Sequence, residues 1–352
     1  MNVDIPPVDV DISIESLSIE RDAFYNVCFI TENDTSTRTL EVRTLTDLLE
    51  GGYDRTSLAY NFCIGVLAQQ SMPVIYIRAK RASETYEEAF SADNNNNYYF
   101  VSIESKDLSV VNSFNNYINS LDNYKLQFFS APTNILGNRK IVSYYQKPVS
   151  VDELVSDNTT TINNHYLNKA FDSGYDVVGI DTATTEQLQQ SRIAYPESAW
   201  IGLCGNVFPS SVQWLYKYLA KVDVVKDKTI PVLMSTTSHV MKDIAATGSG
   251  MTNQGILIHE QVSLDWVKWA LSRKVWNTLY TKEKINATQG GLDLIINDIK
   301  MVLDLAVTES MFTKYQITET KLDRNTNTIQ VKFTAELTHT ILEVEVNGSL
   351  RY

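Results

Sequence analysis

Cysteine is scarce in this 352-residue chain: Cys28, Cys63 and Cys204 are far apart, odd in number and outside any metal-ligand or redox spacing. Such a set excludes a disulfide framework and a zinc ribbon, and leaves small core residues in a reducing compartment. Positive charge is short as well, with 30 Lys and Arg against 42 Asp and Glu and a formal net charge of −12. Phosphate backbones need a basic footprint, so nucleic acid is excluded as the main partner. Met1 to Val10 carries Asp4 and Asp9 where a secretory signal has basic residues and then an apolar run, so neither secretion nor membrane contact by this chain is expected. No GxGxxG or GxxxxGK[ST] follows any strand-like run, which leaves nucleotide cofactors unsupported. Internal repeats are missing too.

What is present is an ordinary globular composition, 43% apolar, in a chain long enough for two or three folded units. Val8, Val10, Ile12 and Ile14 alternate with Asp9, Asp11, Ser13 and Glu15, the mark of a strand with one wet, acidic face. No tight-turn signal follows before Phe24, so this strand either enters its own sheet at long range or pairs with another chain.

Helical and strand-like segments then take turns. Thr56 to Gln70 is helix-compatible through Leu58, Phe62, Val66 and Leu67, and Pro73 to Ile77 is a short apolar run. Asn94 to Asn97 is a polar loop, Tyr98 to Ile103 a strand, and Leu108, Val111, Phe114 and Ile118 the apolar face of a helix. Strand-like runs at Leu126 to Phe129 and Ile141 to Tyr145 precede a polar loop at Ser156 to Asn164. A short helix at Tyr166 to Phe171, a strand at Tyr175 to Ile180 and another at Ile230 to Met234 complete the pattern. Alternation on this scale predicts an α/β layer with a mostly parallel sheet. Tyr195 to Trp200 reads as an aromatic turn leading into a helix that carries Val212, Leu215 and Leu219; Ala245 to Gly255 reads as a glycine- and threonine-rich connection. At the other end Ile329, Val331, Phe333, Ala335 and Leu337 alternate, and Leu342, Val344 and Val346 do so again before the turn pair Asn347-Gly348.

Gln261 to Val307 is predicted as two helices joined by a short turn. In the first, Leu264, Val267, Leu271, Val275 and Leu279 form an aliphatic stripe, while Trp266, Trp269, Trp276 and Tyr280 form a second on roughly the opposite side. Two apolar faces fit either an ordinary buried pair or a helix held between its own core and another protein. The aliphatic stripe is assigned to the inside, the tryptophans to another layer or another protein. Lys282 and Lys284, near the end of this helix, are either a solvated terminus complementing the helix dipole or a surface for an acidic partner. The second helix is rich in Leu and Ile but is interrupted by Asp293, Asn297, Asp298, Lys300 and Asp304, too often for a membrane span.

Catalytic constellations are incomplete. His259-Glu260 opens like a zinc-protease helix, yet Ser263 stands where the second histidine belongs. His165, His239 and His339 lack acidic or cysteine neighbours at useful spacing, Gly248-Ser249-Gly250 lacks the lysine of a phosphate loop, and Ser235 to Ser238 supplies hydroxyls without a base. An α/β hydrolase-like enzyme would need a nucleophile and base that this pattern does not offer, and an adhesin would need repeats or a fibrous end. No catalytic residue, cofactor or metal is assigned.

Several segments taken together resemble the contractile tail sheath proteins of bacteriophages. They are Tyr195-Pro196-Glu197-Ser198-Ala199-Trp200, the entry Pro209-Ser210-Ser211 before Trp214, Asp265-Trp266, Lys284-Ile285-Asn286-Ala287-Thr288-Gln289-Gly290-Gly291, Leu58 to Arg78, and Glu343-Val344-Glu345-Val346-Asn347-Gly348. Asn286 and Ala287 depart from that family's usual turn, which has proline and tyrosine there. The resemblance spans the chain in order. It implies an α/β domain at 23–194, an α+β core domain with the helix pair at 195–327, an extended arm at 1–22 and terminal strands with a second arm at 328–352. It implies that the arm strands Val8, Val10, Ile12, Ile14 and Leu342, Val344, Val346 add to sheets of neighbouring subunits. The implied partners are further copies in rings of six, a tail tube protein, and baseplate and tail terminator proteins, in a virion tail assembled in the host cytoplasm. The sheath of a phage-derived bacteriocin or other contractile injection machine is the alternative.

Overall fold

The computed structural model describes residues 24–33, 37–55, 57–69, 74–92, 97–121, 124–131, 141–145, 195–215, 217–219, 236–237, 245–247 and 250–339. The expected strands at Val8–Ile14, 175–180, 230–234 and Leu342–Val346, the loop at 156–164, the helix at 166–171 and the Asn347-Gly348 turn lie outside these residues. Compactness divides the chain into two units, one formed by 13–208 and 214–261, the other by 1–12, 209–213 and 262–352.

The first unit is built on a six-stranded sheet of β1 (Val27–Thr31), β2 (Thr39–Val42), β3 (Ile75–Ala79), β4 (Phe100–Ile103), β5 (Leu126–Ala131) and β6 (Ile141–Tyr145), in the order β2-β3-β1-β4-β5-β6. All neighbours are parallel except the edge strand β2, which runs against β3 with Leu40 opposite Ile77. β1, β3 and β4 are buried at every position, as strands covered on both faces must be. One face of the sheet gives Cys28, Ile30, Tyr76, Val101, Ile103 and Phe129 to a core with Tyr86, Ala89 and Phe90 of α3 (Tyr86–Ser91) and Val111, Phe114 and Ile118 of α4 (Leu108–Ser120). The other face is aromatic: Phe29 stacks on Phe62 of α2 (Leu58–Leu67) at 4.3 Å between centroids, and Phe128 meets Trp200 of α5 (Pro196–Cys204) edge-on at 6.1 Å. A further short helix, α1 (Leu45–Glu50), follows β2. Local signals fix several ends. Thr85 and Glu88 close a capping box on α3, and Asp107 accepts from Ser109 N at 2.7 Å to cap α4.

Residues 195–219 differ from expectation. The helix is Pro196–Cys204 itself, where an aromatic turn was expected, and 212–215 and 217–219 are not helical. Proline in the first helical turn, with φ pre-set and no N–H to lose, starts the helix there. It ends at Cys204, with Gly205 as its cap donating from N to Ile201 O at 2.7 Å. Lys217 is then held in extended exchange with Thr247, whose N donates to Lys217 O at 2.9 Å and whose hydroxyl accepts from Lys217 N at 2.9 Å. Residues 195–208, expected in the core domain with the helix pair, therefore pack with the sheet: Tyr195 lies edge-on to Phe29 at 5.0 Å and to Phe62 at 6.0 Å. Within 236–246, β7 (Thr236–Thr237) pairs with β8 (Ala245–Ala246) in two residues each.

In the second unit the helix pair is α6 (Ile258–Thr281, whose first four residues belong to the first unit) and α7 (Gln289–Thr308). Leu292, Ile295, Asp298, Val302, Leu303 and Ala306 are buried along α7 at three- and four-residue steps. Lys274 reaches Asp298 across the pair at 3.5 Å. Gly291 is required where α7 starts, because a Cβ there would stand 2.1 Å from Asn286 O. The unit ends in an antiparallel ribbon of β9 (Phe312–Asp323) and β10 (Thr328–Leu337). β9 was not anticipated. Its turn is set by Asp323, whose carboxylate accepts from Asn325 N at 2.8 Å, and by Asn327 at φ 56.

Candidate functional site

Read as a sequence of parallel strands, β3-β1-β4-β5-β6 reverses direction of growth at β1, and open sheets of this kind bind ligands outside the carboxyl ends of the strands at that reversal. Here those ends are tied to one another. The Thr31 hydroxyl donates to the Glu104 carboxylate, which also accepts from Glu32 N at 3.0 Å. Tyr86 donates to Glu32 at 2.9 Å and accepts from Ser105 N at 3.1 Å, while Tyr195 donates to Glu104 O at 2.9 Å. Lys80 lies 5.3 Å over the Tyr86 ring and Lys106 4.7 Å over that of Tyr195. Burial first, and then neighbouring carboxylates, push both phenols well above their ordinary range, so they stay neutral donors. Two rings thus stop the crevice. Glu32, Tyr86, Glu104 and Tyr195 are too scattered in sequence for spacing to have revealed them.

The other candidate chemistry fares no better as a site. His259 is buried, and burial lowers its pKa to about 4, which keeps it uncharged at neutral pH. Cys28, Cys63 and Cys204 are all buried; burial raises the Cys63 thiol and pushes Cys204 up to about 12, as expected of inert core thiols. Gly250, at φ 59, is needed because a Cβ would fall 2.8 Å from Leu215 N, a close backbone approach in a turn. His165, His239, Ser235, Ser238, Gly248 and Ser249 lie outside the described residues. Among the described residues no group of three or more metal-ligating side chains forms, and no helix is long and apolar enough to cross a membrane.

The second unit presents a surface of another kind. Ile329, Val331, Phe333 and Ala335 of β10, with Tyr315 and Ile317 of β9, share one half-buried face of the ribbon. The opposite face carries exposed pairs, Lys314 to Glu336 at 2.9 Å and Lys332 to Glu319 at 2.7 Å. Between the apolar face and the helices a cleft of about 360 Å³ is lined by Val275 and Leu279 of α6, Ile295 and Ile299 of α7, and Val331 and Phe333 of β10. Among the described residues β9 and β10 pair only with each other.

The assigned stripes divide differently from expectation. Trp266 and Trp269 are only 3% and 8% exposed within the chain itself, so α6 is covered on both sides over that stretch. Trp276 is half-buried and stacks on Tyr280 at 4.8 Å, and Tyr280, Lys282 and Lys284 are exposed. Of the aliphatic stripe, Val267, Leu271 and Val275 are buried, Leu264 partly so, and Leu279 is 51% exposed at the cleft mouth. Both stripes are thus inward in the first half of α6, and outward only in its last turns.

A scan of protein-family models and a search of curated proteins return no match to the sequence. Solved structures do match. A chain of the anti-feeding prophage baseplate, a six-fold symmetrised cryo-EM structure, superposes with a TM-score of 0.61 at 10% identity, over 100% of this chain and 100% of that one. A sheath tail protein from Listeria innocua superposes with a TM-score of 0.55 at 7% identity, over 89% of this chain and 92% of that one. The chain has a sheath-protein fold. Identity this low carries the fold and nothing more specific, but the match runs through both units.

Proposed function

We propose that this chain is a structural, non-enzymatic subunit of a contractile tail sheath. It polymerises as stacked rings of six around an inner tube, and contraction drives the tube through the host envelope. The observation that carries the reading is the sheath fold over both units combined with a ribbon whose two edges pair with no other strand among the described residues. Open edges are normally a liability; in a helical lattice they are connectors. The strands at Val8–Ile14 and Leu342–Val346 are the complementary parts, each with an apolar and an acidic face, and join sheets of neighbouring copies by β-augmentation. Contraction is then a rigid-body repacking of subunits tethered by those strands, from a metastable extended lattice into a better-packed one. No nucleotide is needed for it.

Trp276, Lys282 and Lys284 form the face offered to the tube protein or a neighbouring copy; Trp266 and Trp269 support it from inside. Baseplate and terminator proteins bound the stack, and the particle is a virion tail assembled in the host cytoplasm. A second reading, the sheath of a phage-derived injection machine, is favoured by the full-length match to a chain of the anti-feeding prophage baseplate. Truncation tests the arms. Removing Met1–Glu15 or Ile341–Tyr352 is expected to leave a folded protein that forms no tubes, and long tubes of either truncated protein in the electron microscope would contradict the assignment. Reversing Lys282 and Lys284 to Glu is expected to weaken binding to the tube; unaltered binding removes those residues from the interface.

A further inference from the structure

We propose that Lys274 and Asp298 select the register of α6 against α7, at a cost in stability, and so hold the helix pair in the one alignment that shapes its cleft with β10. The selection stands on the helix pair itself; its consequence for assembly rests on the sheath reading above. Apolar packing alone distinguishes registers poorly here. Leu264, Val267, Leu271, Val275 and Leu279 recur along α6 at three- and four-residue steps, and Leu292, Ile295, Ile299, Val302 and Ala306 do the same along α7. A slide of α7 by one turn, about 5.4 Å, therefore replaces aliphatic side chains with aliphatic side chains. The link between the helices does not forbid it. Residues 282–288 are mostly exposed, and the close approach of Asn286 O to Gly291 seats them on the start of α7, not on α6.

One polar pair breaks the repetition. Asp298 stands on the buried stripe of α7, three residues after Ile295 and four before Val302, and is only 7% exposed. Lys274 stands on α6 between Leu271 and Val275, and its Nζ lies 3.5 Å from Asp298 Oδ1. A slide of one turn would bring Asp298 to Ala270 and Leu271 in one direction, or to Asn277 and Thr278 in the other. Lys274 would come to Leu294 and Ile295, or to Met301 and Val302. None of these carries the opposite charge. Each slid register thus leaves a carboxylate in the helix seam without its cation, which is the state such pairs resist most strongly.

The pair is a poor stabiliser in its own right. Its 3.5 Å separation is long, the Lys274 side chain is 34% exposed, and Asp298 Oδ2 is buried with no hydrogen-bond partner among the described residues. Two apolar residues of similar volume would hold the seam at least as well. A polar pair that costs stability yet admits a single alignment acts as a buried polar residue does in a coiled coil, where it fixes register. The alignment it admits brings Leu271 and Val275 of α6 together with Ile295 and Ile299 of α7 around the cleft. Because β9 starts soon after α7 ends, a slide would carry the ribbon along α6 and reshape that cleft.

Spin labels at two exposed positions, Asn277→Cys on α6 and Lys300→Cys on α7, report the alignment in full-length protein, whose own cysteines are buried. With Lys274 and Asp298 in place, pulsed electron resonance is expected to give one distance. Lys274→Met with Asp298→Leu is expected to add a second distance, to unfold at the same or a higher urea concentration, and to lower tube yield several-fold. Lys274→Asp with Asp298→Lys keeps the pair with its charges exchanged, and is expected to restore one distance and the tubes. A single, unchanged distance in the apolar variant would overturn register selection, as would two distances in the exchanged pair. A clear fall in the apolar variant's urea midpoint, or its failure to fold, would show the pair to be a stabiliser and overturn the inferred cost. Two distances with undiminished tubes would overturn the consequence for assembly. Failure of the unsubstituted protein to form rings or tubes would overturn the sheath reading instead, and the distances would still decide the register.

Discussion

Gly202 lies inside α5 where that helix crosses α2, and a Cβ built there would stand 2.4 Å from Val66 O and 2.8 Å from Val66 Cα. Both contacts are with backbone, so no side chain can rotate away and the two helices must part. Overpacking of this kind costs about 1–3 kcal/mol. Gly202→Ala also removes a helix-interior glycine, which returns about 1 kcal/mol of helix propensity. The net expectation is a loss of about 0–2 kcal/mol, with each kcal/mol lowering Tm by roughly 2–4 °C in a unit of this size. Gly290 is the control. It is the second residue of α7 with nothing within 4 Å of the added carbon. Gly290→Ala is therefore expected to stabilise by about 0.4–1 kcal/mol. Urea unfolding followed by circular dichroism measures both. Equal gains in the two variants would refute the close helix crossing, because propensity alone would then account for both.

Two further substitutions probe the buried polar groups. For His259 the folded pKa of about 4 lies below the ordinary 6.5, so between those values the unfolded chain binds a proton that the native one does not. Stability therefore falls as pH drops through 6.5 toward 4, by up to about 1.4 kcal/mol per pH unit from this group, and His259→Gln is expected to flatten that limb in pH-dependent denaturation. An acid limb of unchanged steepness would contradict the burial of a neutral imidazole. Tyr86→Phe removes the donor to Glu32 and the acceptor for Ser105 N, and is expected to cost about 1–2 kcal/mol by the same assay with no change in the fold.

Much of the first unit was legible because it obeys simple periods. The helix face Val111, Phe114 and Ile118, and the fully buried strands at Ile75–Ala79 and Phe100–Ile103, follow directly from apolar spacing. β9 was hidden by a bulge. Tyr315 and Ile317 alternate inward, then the register slips between Lys332 and Phe333, and Thr320 and Leu322 continue on the inner face one residue late. Residues 195–219 misled for a different reason. Val212, Leu215 and Leu219 have helical spacing, but Lys217 between them is held in extended exchange with Thr247, while Pro196 and Glu197 were the helix-start signal that aromatic neighbours obscured. The tryptophans were placed outward because a helical wheel shows two apolar stripes but cannot show that both are covered within one chain. The stopped crevice needed the fold, since Glu32, Tyr86, Glu104 and Tyr195 meet only through the sheet.

The central claim is that this chain builds a hollow sheath through strands exchanged between copies. Negative-stain electron microscopy of the purified full-length protein tests it most directly. Six-fold rings or hollow tubes are predicted, and a field of dispersed monomers at every concentration and ionic strength tried would contradict it.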